Sequence, residues 1–143
     1  MSVHIPADIA SQIRAHGEAA YPHEGAGFLL GRAEGEDRRV IGILPAENAR
    51  EDAARHNRYL LGPEQMLQAE NTAQRLGLDV LGVFHSHPDQ PAEPSEFDRE
   101  WALPWFSYII TSIRQAKADE TRSWRLVEDR TAFIEEPMVT TES

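Results

Sequence analysis

The run LDVLGVFHSH, residues 78–87, is apolar at both of its alternating positions. Side chains on a strand point to opposite faces with a period of two, so a run without polar alternation is covered on both sides. That makes it a central strand, and the flanking sequence supplies the cover. Pro6 suits a first helical turn, and Ile5, Ile9 and Ile13 recur every four residues, which predicts an amphipathic helix ending at Gly17 or Pro22. Pro63 opens a second helix, PEQMLQAENTAQRLG, with Met66, Leu67, Ala73 and Leu76 as its apolar positions and Gly77 as its stop. GAGFLLGRA and RRVIGILPAEN, separated by the polar EGED, predict a hairpin, and FSYIITSI, RSWRLVED and TAFIEE predict three further strands. Residues 47–58 are charged and aperiodic, which predicts a surface loop ahead of the short YLLG. The expected fold is α/β, with a mixed, mostly antiparallel sheet and helices packed over it.

A chain of 143 residues is long enough for one core and too short for two, so a single domain is expected over 1–137, with a flexible tail over 138–143. The chain has no cysteine, which excludes disulfides, thiolate catalysis and every zinc site built on sulfur. Any metal must therefore be held by histidine and carboxylate. The net charge of -10 repels a phosphate backbone, so nucleic acid is not an expected partner. Neither a basic segment followed by an apolar stretch near the N-terminus nor a membrane-length apolar run is present, and a cytoplasmic location is expected.

The chemistry concentrates in HSHPDQPAEPSEFD, residues 85–98. His85 and His87 are two apart on a strand and project to the same side, while Ser86 points away. Two neutral imidazoles converging in this way are half of a zinc site. Three prolines restrict the following loop, which hands the chain to a helix beginning near Ser95, and Asp98 on its first turn could complete three protein ligands. Three ligands with an open fourth position suit a catalytic zinc. The same tetrapeptide, SEFD, is equally a capping box, in which Ser95 and Asp98 satisfy free amides at a helix start. Both readings stay open on these residues alone.

The full spacing, His85-x-His87, seven residues, Ser95, two residues, Asp98, resembles the motif of the JAMM or MPN+ (Mov34/JAB1) zinc metalloproteases. The upstream segment PHEGAGFLLG, residues 22–31, is similar to that family's Glu-x-Cys-Gly-x-x-x-Gly stretch, with Ala26 where many relatives have cysteine. Similarity extends through SYII at 107–110 and WRL at 124–126, and the length is that of compact stand-alone bacterial members. Nothing in the residues alone would single out Glu24 among the sixteen glutamates.

The resemblance implies a three-layer fold similar to cytidine deaminases and one zinc ion per chain held by His85, His87 and Asp98. It implies Glu24 as general base, Ser95 as the donor that stabilises the oxyanion, and amide hydrolysis by a metal-activated water. By the same resemblance the partner is a ubiquitin-like or sulfur-carrier protein with an extended C-terminal tail. A non-catalytic module that docks such a tail, or a hydrolase of small amide conjugates, are the alternatives. His4, His16 and His23 read as surface residues, His56 as a residue that could approach the substrate groove, and Trp101, Trp105 and Phe106 as core or groove-wall aromatics.

Overall fold

The computed structural model describes residues 1–46 and 61–142. In chain order these form β1 (Val3–Pro6), α1 (Ala7–Ala20), β2 (Ala26–Glu34), β3 (Asp37–Ala46), α2 (Pro63–Leu76), β4 (Asp79–Pro88), α3 (Glu96–Trp101), β5 (Ser107–Arg114), β6 (Lys117–Leu126), β7 (Phe133–Glu136) and β8 (Met138–Thr141). The loop expected at 47–58, with His56 and the start of YLLG, lies outside the described residues.

The strands build one sheet in the order β7-β6-β5-β4-β2-β3-β1-β8, so the doubly apolar β4 is central, antiparallel to β2 and parallel to β5. The β2–β3, β2–β4, β5–β6 and β6–β7 pairs are antiparallel, while β4–β5, β1–β3 and β1–β8 are parallel, a mixed sheet with an antiparallel majority. Ile9 and Ile13 of α1 pack on one face against Leu29, Leu81, Phe84 and Ile109. On the other face Ala69 and Ala73 of α2 pack against Phe28, Leu30, Val83 and Tyr108. Helix, sheet and helix thus make three layers.

Helix ends follow local chemistry. Gly77 closes α2 in the left-handed region at φ 69°, where its lack of a side chain removes the steric cost. Gly17, by contrast, does not end α1. It is buried inside the helix, which runs on to Ala20 before Tyr21 and Pro22.

Two strands depart from expectation. Ile5 belongs to β1 and not to the helix, because a four-residue strand is too short to show an alternating pattern against the helical spacing of Ile9 and Ile13. The tail expected to be loose from residue 138 instead forms β8, whose Met138 to Thr141 pair with Val3 to Pro6, and Val3 N donates to Pro137 O at 2.9 Å. The physical reason is the edge: β1 has backbone groups with no partner on its outer side, and MVTT, with three β-branched residues, supplies the missing ladder. Among the described residues no helix is long and apolar enough to cross a membrane.

Candidate metal centre

One extra residue in β4 decides which way the histidines face. Leu29 pairs with Gly82 and Leu30 with Val80, so Leu81 is a bulge between them. A bulge shifts the alternation by one, and every downstream side chain changes face. Leu81 and Phe84 accordingly join the α1 side, and Val83 the α2 side. His85 and His87 follow Val83 in phase, while Ser86 turns toward α1.

The same pairing brings Glu24 to the histidines across some sixty residues of chain. β2 and β4 are antiparallel with Ala26 opposite His85, so the residue two before Ala26 lies just past His85 at the sheet's end. Glu24 Oε1 stands 3.8 Å from His85 Nδ1, and both residues are buried.

Asp98 arrives through its helix cap. Ser95 is extended at φ -90° and ψ 172°, its Oγ accepts from Asp98 N at 3.1 Å, and its own N donates to Asp98 Oδ2 at 2.8 Å. That reciprocal pair fixes the carboxylate between the two imidazoles, with Oδ1 3.7 Å from His85 Nε2 and Oδ2 3.2 Å from His87 Nε2. His87 is aimed from behind, because its Nδ1 lies 3.0 Å from the Pro91 carbonyl, which can only accept. In the neutral ring that contact places the proton on Nδ1 and turns the Nε2 lone pair to the site. A lone pair facing a carboxylate oxygen at 3.2 Å calls for a proton or a cation between them.

Electrostatics favour the cation. Burial lowers the His85 pKa from 6.5 to about 4, so the ring is neutral and its nitrogens free of charge at neutral pH. Burial also resists the Asp98 charge, but where the imidazoles carry protons the charge of His85, a hydrogen bond and charge from His87, and the Ser95 amide outweigh it and hold the carboxyl at about 2. Glu24, His85 and His87 each offer a ligand atom within 4.8 Å of the others, and all three are buried. The donor set of imidazole and carboxylate, without sulfur, can hold a metal ion. A cavity of about 240 Å³ opens onto it, lined by Glu24, His87, Gln90, Ser95, Phe97 and Asp98.

Both shifts give the metal-free protein a pH dependence of known sign. His85 has a folded pKa of about 4 against 6.5 unfolded, so the unfolded chain binds a proton that the folded chain refuses. Stability is full above the unfolded value and falls as pH drops from there toward 4; the Asp98 shift from 3.8 to about 2 extends the loss in the same direction. The His85 part is on the order of 3 kcal/mol. Urea unfolding of chelator-treated protein should show the midpoint dropping steadily between about pH 7 and about pH 4.5, and a flat profile across that window contradicts the assignment.

All five residues named from the sequence, Glu24, His85, His87, Ser95 and Asp98, are thus brought together. The remaining histidines are not: His4 lies beside Ser2 and Asp37, and His23 is exposed. His16 departs from the surface position expected of it, being half-buried edge-on against Phe84 with its pKa lowered by burial. Trp101 and Trp105 are exposed and not core residues, and Arg38 lies 4.0 Å over the Trp105 ring, whereas Phe106 packs against the α2-side core. No residue signalled that the Pro91 carbonyl would lie against His87, since a backbone acceptor has no mark in the sequence.

A family model described as prokaryotic homologues of the JAB domain matches residues 6–127. A "probable TtuB-protein conjugate cleaving protease" of Thermus thermophilus is 30% identical over 128 residues, covering 87% of this chain and 82% of the relative. A "desampylase" of Pyrococcus furiosus is 32% identical over 105 residues, covering 73% of this chain and 68% of that protein. The solved structure of protein DSY2949 from Desulfitobacterium hafniense superimposes with a TM-score of 0.86 at 30% identity, covering 99% of this chain and 94% of that one. With the matched residues spanning β4, its histidines and the Asp98 cap, the chain belongs to the family of prokaryotic homologues of the JAB domain.

Proposed function

We propose that this chain is a zinc-dependent isopeptidase that releases ubiquitin-like, sulfur-carrier-type proteins from conjugates by cutting the amide bond at the carrier's C-terminal tail. The observation that carries the reading is the disposition of the ring nitrogens. Both Nε2 atoms face the two oxygens of Asp98, at 3.7 and 3.2 Å, while Glu24 meets His85 at the opposite ring nitrogen, 3.8 Å from its Nδ1. His85, His87 and Asp98 are the ligands, and Glu24 is left to move protons.

A zinc ion held by His85, His87 and Asp98 would supply a Lewis acid and an acidified water. Glu24 accepts the proton of the attacking water and returns it to the departing lysine amine, so the amide breaks into a free carboxylate and a free amine. Ser95 Oγ accepts the Asp98 amide, which leaves its own O–H to donate to the oxyanion, and Ser95 is exposed at the cavity. The substrate class rests on the named activities of the Thermus and Pyrococcus relatives and on the cavity, whose roughly 240 Å³ fits an extended tail and not a folded domain.

The test is a carrier protein joined through its C-terminal glycine to a target lysine, incubated with the zinc-loaded chain and read by intact-mass spectrometry. Free carrier with an unmodified C-terminus and unmodified target are expected, with about one zinc per chain. A chain that binds one zinc, leaves the conjugate intact and cleaves a small amide is a hydrolase of small conjugates. One that takes up no zinc even when it is supplied is a binding module.

A further inference from the structure

We propose that Ser86, the residue between the two histidines, is the positioning residue that holds the Glu24 segment in catalytic register. The inference rests on the reading of Glu24 as the proton-transfer group.

Ser86 turns away from the metal side, toward α1, and is buried. Its N donates to Gly25 O at 3.0 Å, as an antiparallel ladder requires at the pair after Ala26 and His85. The reciprocal bond of a regular ladder would run from Gly25 N to the Ser86 carbonyl. Here Gly25 N instead donates to Ser86 Oγ at 2.8 Å, in a buried bond. A side chain thus extends the pairing one residue past the last ladder pair, and the residue on the far side of that bond is Glu24.

The surroundings also confine the segment sterically. Gly25 is pressed against α1, where a Cβ would come within 2.8 Å of the His16 ring and 3.0 Å of Ala20. Gly17 makes the matching space for Ser86, since a Cβ there would lie 3.1 Å from Ser86 Cβ. The backbone at 24–25 is therefore squeezed between α1 and β4, with its direction set by the two bonds to Ser86. Losing the hydroxyl strands a buried amide, which is relieved only if Gly25 moves, and Glu24 moves with it. Misplacement of a proton-transfer group by about 1 Å is enough to lower turnover on the order of a hundredfold.

A purely structural serine and a positioning serine differ in what they change. Ser86→Ala is prepared beside wild type, Glu24→Gln and the double variant, and each is assayed on the conjugate per mole of zinc-loaded folded protein. The expected result is one zinc per chain, KM within about twofold of wild type, and kcat lower by about tenfold to a hundredfold. In the Glu24→Gln background the same substitution should change kcat by less than about twofold, because the group it positions is already disabled. Equal losses in both backgrounds, or a lower melting temperature with kcat unchanged, overturn the proposal. A second readout needs no catalysis: in metal-free protein the Gly25 amide should exchange with deuterium at least about tenfold faster in Ser86→Ala than in wild type. Unchanged Gly25 protection overturns the inference whether or not the conjugate is a substrate, whereas a wild-type chain that leaves the conjugate intact refutes the proposed function and leaves the exchange result to decide on Ser86.

Discussion

Replacing His87 with alanine should empty the site: zinc falls from about one to below about 0.1 per chain, and conjugate cleavage falls by at least about a thousandfold. His87 is one of two imidazoles whose Nε2 atoms face Asp98, and its Nδ1 is tied to the Pro91 carbonyl. Outer partners of this kind fix ring direction and raise ligand basicity, so removal of the ring takes away both a ligand and its orienting bond. The two proposed ligands that remain, His85 and Asp98, cannot offer the three-point grip that a catalytic zinc requires. The same experiment has a thermodynamic face. A ligand bound only by the folded state raises stability by RT ln(1 + [L]/Kd), so wild type should melt higher when zinc is added and His87→Ala should not. In chelator the two proteins should differ only by the small cavity left at a residue that is 5% exposed. A variant that keeps one zinc per chain and its zinc-dependent rise in melting temperature removes His87 from the ligand set.

How much of this was written in the sequence depends on whether a feature is local. β4, the β2–β3 hairpin and α2 were legible because each carries its own signal: an apolar run, two runs about a polar turn, and a period closed by Gly77. β1 and β8 were not, because four-residue strands earn their place only through each other, and a pairing between residues 3–6 and 138–141 has no local signature. The site divides the same way. His85, His87, Ser95 and Asp98 lie within fourteen residues, and their spacing alone suggested metal chemistry. The capping box and a metal-ligand role for Asp98 are compatible readings of one turn, and the cap bonds from Ser95 hold the carboxylate beside the histidines. Glu24 was a different case. No rule about single residues distinguishes it from the other glutamates, and it was found only through the family resemblance. The structure supplies the missing reason in the pairing of Ala26 with His85. The bulge at Leu81 that sets the face of both histidines was invisible for the same cause: it belongs to the register between strands, and no side chain marks it.

Glu24→Gln tests the division of labour directly, because two ligand sets are compatible with the distances. Glu24, His85 and His87 offer ligand atoms within 4.8 Å of one another, and the Asp98 oxygens lie 3.7 and 3.2 Å from the Nε2 atoms of His85 and His87. If Glu24 is the proton-transfer group, the amide variant should hold one zinc per chain with unchanged affinity, bind conjugate with an unchanged KM and lose about three orders of magnitude in kcat. Glutamine keeps the size of the side chain and removes only the basic oxygen, so the loss reads proton transfer and not packing. If Glu24 were a ligand, the same substitution would exchange an anionic oxygen for a neutral one, and zinc affinity would fall with activity. Titration against a competing chelator separates the outcomes before any substrate is needed. The Nε2 geometry decides the expectation: a ring coordinates through one nitrogen at a time, His85 turns its Nε2 to Asp98 and its Nδ1 to Glu24, and His87, with its Nδ1 committed to Pro91, has only the Nε2 that faces Asp98. Coordination through both Nε2 atoms puts the ion beside Asp98, and that arrangement leaves Glu24 for proton transfer.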